Sequence, residues 1–283
     1  MSQIKSTDYQ ILETFAAELS GKKLVFPTSL GATMKIRRAL ANPAITTDQV
    51  ARVVASEPVL SAKVLALANS ASLNPQGRKI ADLRSAVTLL GMAALRNLAL
   101  AIGLKQLAEN QYTGQMAEHM HALWQRSLRV AACALVLARL SRRISPDKAM
   151  LAGLLHDIGK FYILNRAHHY QASLADPDAI WSLLEQWHSS IGSAILEDWD
   201  VPEEIRQAVT DYRDFQSQPG AKPGLPDLLI LADQMQDYLH ESVWQETSAL
   251  PVAAAIFELD HSAITELIAN AQLELNLVLQ AIN

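Results

Sequence analysis

Ala149-Met-Leu-Ala-Gly153-Leu-Leu-His156-Asp157-Ile-Gly159-Lys160 is the stretch around which the rest of the chain is arranged. The apolar run predicts a helix with a buried face, and the helix ends on an imidazole and a carboxylate. Both groups are ligands of divalent metals such as Zn, Mn, Fe and Mg. The same pair also fits a satisfied helix end without metal. Gly153, Gly159 and Lys160 mimic a phosphate-binding loop. That loop needs four residues between its glycines and Ser or Thr after the Lys. Here five intervene and Phe161 follows, so the loop is rejected.

Composition narrows the class. The chain has 283 residues, half of them apolar, enough for one large domain or two smaller ones. Ala and Leu dominate, which favours helices over strands. The one cysteine, Cys133, sits in an apolar helical run and excludes an intrachain disulfide. It fits a reducing compartment, and a cytoplasmic location is expected. The first ten residues lack the apolar core of a signal peptide. Residues 87–104 are apolar but interrupted by Gly91, Arg96 and Asn97, so no membrane span is expected. The formal net charge of −5 argues against a general nucleic-acid binder.

Working outward, helix signals follow one another and no strand pair intervenes. Thr7-Asp8 opens a helix that ends at Gly21, and Ser29 opens the next. Thr46 and Gln49 have capping-box spacing. Glu57-Pro58 starts a helix that runs to Asn69-Ser70. Asp82 caps a helix ending at Gly91, and a second runs from Met92 to Glu109. A long helix covers 113–143. Ser145-Pro146, a cap followed by Pro at N1, restarts the chain for the helix that carries His156-Asp157. Further helices follow Pro177 and Pro202, a loop covers 216–226, and three helical segments finish the chain. The reading is all-α, divided into an N-terminal helix (1–25), a helical bundle (26–112) and a second helical part with C-terminal helices (113–283).

Several spaced strings then carry a resemblance. They include Ser56-Glu57-Pro58, Leu67-Ala68-Asn69-Ser70, Ser85-Ala86 through Gly91, Leu95-Arg96-Asn97-Leu98, Leu123-Trp124, Gly153 to Lys160, and Ile191-Gly192. In this order they resemble the HDOD family, the HD-related output domain of bacterial signalling proteins, over roughly residues 26–237. The resemblance implies an N-terminal bundle packed on a core like that of HD phosphohydrolases. HDOD domains often sit behind receiver or cyclic-di-GMP-related domains; no receiver-like βα alternation is read here, so the single-module, stand-alone form is expected.

An HD hydrolase site takes an early His, the His–Asp pair and a late Asp. By register the pair is His156-Asp157, the late Asp is Asp233, and His188 matches a further ligand position of dinuclear enzymes. The early His position is Arg126. Guanidinium has five donors, no acceptor and a fixed charge, so it cannot ligate a cation. Between two carboxylates it makes charge-assisted contacts instead. The resemblance therefore implies a vestigial pocket of Arg126, His156, Asp157, His188 and Asp233 with no catalytic residue and no metal. The competing expectation is Fe, Mn or Zn held by His156, Asp157, His188 and Asp233 in a phosphohydrolase acting on a nucleotide or cyclic dinucleotide. The expected function is non-catalytic signal transduction. The expected partners are other signalling proteins or a nucleotide second messenger, with no membrane and no nucleic acid. His168-His169 reads as a loop-like, exposed pair, and His119, His121, Arg142-Arg143 and the tryptophans read as packing or solvated residues.

Overall fold

The computed structural model describes residues 17, 33, 36, 38–40, 42, 44–70, 73–109, 112–169, 177–199, 201–212, 222–241 and 252–282, with backbone alone at 167–169, 177–183, 240, 241, 252 and 280–282. Among these the protein is helical without a strand. The helices are α1 (Thr47–Ala55), α2 (Pro58–Ala68), α3 (Leu83–Glu109), α4 (Gly114–Ser141), α5 (Pro146–Leu155), α6 (Ile158–His169), α7 (Pro177–Asp198), α8 (Glu203–Asp211), α9 (Leu225–Glu241) and α10 (His261–Ile282), with a 3-10 turn at Val252–Phe257 between the last two. The expected helix of 7–21, apart from helical Ala17, and residues 216–221 of the expected loop lie outside the described residues, while Leu225 and Pro226, expected in that loop, open α9.

Local chemistry sets the helix ends of the first part. The Thr46 hydroxyl accepts from the Gln49 amide and the Gln49 side chain accepts from the Thr46 amide, the reciprocal capping box expected from the sequence. Pro58 starts α2 after extended Glu57. Asp82 accepts from the Ser85 amide at 2.8 Å, and that bond lowers its carboxyl pKa. Gly91, at φ 76°, divides α3 into the two helices read from the sequence, because a left-handed residue breaks the helical ladder. Beyond it, residues from Leu95 to Leu104 are almost all buried. By length and composition α3 could cross a membrane, yet 56% of its apolar window is packed inside the protein.

Asn69 closes the first part. Its Nδ2 donates to the Leu65 and Ile80 carbonyls, and its Oδ1 accepts from the Ile80 amide, each at 2.8 Å. The residue is exposed, so these bonds compete with water. Asn69→Ala removes all three at once and is expected to cost about 1–2 kcal/mol. A thermal melt checks this, and an unchanged midpoint would free Asn69 for a binding role.

The second part is built on α4. It packs against α5, α9 and α10, while α6 packs on α7 and α8 bridges α7 and α9. α10 runs back along α4 and reaches α2 and α3, so it touches both parts. Two local readings change. Ser145 occupies the N-cap of α5, but its side chain makes no capping bond; Pro146 at N1 sets the start. His168 and His169, read as loop, continue α6. Arg142 takes the left-handed C-cap of α4 at φ 52°.

Candidate functional site

The turn between α5 and α6 carries His156 and Asp157 into the interior, at 3% and 0% exposure. Two glycines make that placement possible. A Cβ on Gly153 would lie 2.5 Å from the Ala131 Cα in α4, and a Cβ on Gly159 would lie 1.9 Å from the His188 carbonyl oxygen in α7. Neither helix pair could approach so closely with a larger residue. Gly153→Ala drives the α4 and α5 backbones apart and is expected to cost about 1–3 kcal/mol. Calorimetry reads this as a lower midpoint; an unshifted one would contradict the close approach.

His156 is oriented by its own helix. Its Nδ1 donates to the Gly153 carbonyl at 2.7 Å. A carbonyl only accepts, so Nδ1 carries a proton and Nε2 is left for the carboxylates. It stands 3.1 Å from Asp157 Oδ2 and 3.9 Å from Asp233 Oδ1. Lys160, one turn on in α6, brings Nζ to 2.7 Å from Asp157 Oδ1. Arg126, from the middle of α4, places Nε 3.5 Å from Asp157 Oδ2 and donates a terminal N–H to Asp233 Oδ1 in α9. The guanidinium therefore joins the carboxylate of the turn to the carboxylate of α9.

The electrostatics follow from this packing. Burial pushes the Asp157 carboxyl up, but the charge and hydrogen bond of His156, then those of Lys160, outweigh it and hold the carboxyl well below the usual range. One turn along α4, Arg129 donates to Gln236 Oε1 at 2.9 Å, and Gln236 donates to Asp237. Burial, then repulsion from Arg126, lowers the pKa of Arg129. Deeper still, burial pushes the Cys133 thiol up to about 12, so it holds its proton at neutral pH.

The structure thus brings Arg126, His156, Asp157 and Asp233 together. His188 is buried, its Nδ1 donates to the Leu184 carbonyl of its own helix at 2.6 Å, and its backbone meets the site at Gly159. Among the described residues no three His, Cys, Asp or Glu side chains form a group able to hold a metal. His121 sits elsewhere, against Gln125 at 2.9 Å and the Trp124 ring. Lys160 is the site residue the sequence reading passed over. It was weighed only as part of a phosphate loop, although its i,i+3 spacing from Asp157 was there to be read.

Comparison with known proteins agrees with this architecture. The HDOD domain family model matches residues 26–215. An uncharacterized protein of Treponema pallidum (strain Nichols) is 22% identical over 218 residues, spanning 72% of this chain and 40% of its own length. A crystal structure from Shewanella amazonensis SB2B, provisionally named a metal-dependent phosphohydrolase, superposes with TM-score 0.67 at 23% identity, over 95% of this chain and 99% of that one. A second, from Marinobacter aquaeolei VT8 and provisionally named a signal transduction protein, gives TM-score 0.59 at 21% identity, over 97% of this chain and 64% of that one. At these identities the likeness is one of fold.

Proposed function

The chain belongs to the HDOD domain family, and on that premise we propose that it is a non-catalytic signal-transduction protein that acts by binding other signalling proteins. The observation that carries this reading is Arg126, bonded to Asp233 and close to Asp157 where an HD hydrolase would need a neutral ligand. The donor set does not fit a divalent cation. Asp157 and Asp233 supply two negative charges, and Arg126 and Lys160 already supply two positive ones. A divalent ion entering the cluster meets a fixed guanidinium that cannot deprotonate. At ~4 Å and an effective dielectric of about 20, that single repulsion is about 8 kcal/mol. Removing Arg126 from the carboxylates would leave them partly uncompensated in a buried site. What remains is a cluster of ion pairs that ties α4, α6 and α9 together, a suitable support for a binding surface.

The second reading, a metal-dependent phosphohydrolase, has one observation on its side. His156 Nδ1 is anchored to a backbone carbonyl, the arrangement that presents Nε2 to a metal. One experiment separates the two. Metal content is measured on purified chain, together with phosphatase and cyclic-dinucleotide phosphodiesterase activity with and without added Mn or Fe. The binding reading expects substoichiometric metal and no turnover. Stoichiometric metal with hydrolysis would replace it by the enzyme reading.

A further inference from the structure

A cavity of about 170 Å³ lies at the seam where α2 and α3 meet α4, α5 and α10. Its wall is mainly apolar, built by Leu67, Leu98, Leu135, Met150, Leu277 and Val278. One buried polar side chain interrupts the wall. Asn97 is 3% exposed, and its hydrogen bond among the described residues is a single long one, Nδ2 donating to the Asp147 carbonyl at 3.5 Å. A carboxamide offers two donors and two acceptor lone pairs, so most of that capacity is unused. A guest with a hydrogen-bonding group can take up that capacity. At the rim, Arg139 and Glu274 pair with each other across α4 and α10 and cancel, and the third ionisable residue of the lining, Asp147, is exposed to solvent.

We infer that this cavity binds a small neutral molecule with an apolar body and one hydrogen-bonding group for Asn97. The size follows from volume, since an apolar cavity of about 150 Å³ accepts benzene. The guest therefore has roughly six to ten non-hydrogen atoms. Met150, unbranched and half-buried, gives the wall some adaptability. The site is separate from the Arg126 cluster, and its walls come from both parts of the fold. A guest there contacts the N-terminal bundle through α3 and the second part through α4, α5 and α10, so one small molecule bears on how the two are held together.

The probe is benzamide, with toluene as the purely apolar comparison. Both are titrated into the full chain carrying 13C-labelled methionine methyls, and the Met150 resonance is followed. Benzamide is expected to shift it saturably. Asn97→Leu is expected to weaken benzamide at least roughly tenfold, the loss of one good hydrogen bond, while toluene binds as before. Ala94→Phe fills the cavity and is expected to abolish both shifts. A Met150 resonance unmoved by either probe in the wild-type chain overturns the inference. So does equal benzamide binding in Asn97→Leu. Should Asn97→Leu fail to fold, Ala94→Phe decides, because it leaves Asn97 in place; shifts that persist in it overturn the assignment.

Discussion

Asp157→Asn is expected to lower the stability of the protein by about 3–5 kcal/mol, the usual cost of removing one partner from a buried ion pair. The side chain is fully buried, and three groups converge on it: Lys160, His156 and Arg126. The amide keeps the shape but removes the negative charge from beside the Lys160 ammonium. For a chain of this size the melting midpoint falls by on the order of 10 °C. The pH dependence gives the prediction a second edge. The folded pKa of Asp157 is depressed, so its contribution is complete above the unfolded value, about 3.9. It is lost as pH falls from there through the folded value, because the unfolded chain then binds the proton more readily. The difference in midpoint between wild type and Asp157→Asn is therefore flat above about pH 5 and narrows below about pH 4. Equal midpoints at pH 7 would remove Asp157 from the centre of this account.

How much of this the sequence disclosed depends on how local each cause is. Thr46 with Gln49, Asp82 with Ser85, and Pro58 and Pro146 at helix starts act within one turn, and all are legible at their own spacing. Gly91 was legible as the break in α3 for the same reason. Arg126, Asp157 and Asp233 come from three separate elements, and only the family register placed them side by side. The roles of Gly153 and Gly159 were not legible. They depend on Ala131 and His188 in other helices, and a small residue in an apolar run has no signature of close approach. Lys160 has no role in the sequence reading once the phosphate loop is rejected, although its partner stands only three residues back. Asn97 sits in a string that carried the resemblance, yet nothing local marks it as the polar point of an apolar cavity. That cavity exists only because α10 folds back over α2 and α3.

Arg126→His is expected to convert the cluster into a metal-binding one. The substitution removes the guanidinium from between Asp157 and Asp233 and puts an acceptor nitrogen in its position. His156 Nε2 already stands beside both carboxylates, held by the Nδ1 bond to Gly153. The repulsion relieved is about 8 kcal/mol for a divalent ion at an effective dielectric of about 20. Since 1.4 kcal/mol is a tenfold change, even a small part of that relief raises Mn or Fe affinity at least roughly tenfold. Arg126→Met separates the two causes, because it removes the charge and supplies no ligand. If charge alone excluded the metal, Arg126→Met gains as much affinity as Arg126→His. If the missing ligand matters too, Arg126→His gains more than Arg126→Met, and its bound metal raises the melting midpoint with the logarithm of metal concentration above Kd. Equilibrium dialysis against Mn, with melting curves at each concentration, reads both variants. Wild-type chain that binds Mn as tightly as Arg126→His would show that the guanidinium moves aside without cost, and the argument from fixed charge would fail at its first step.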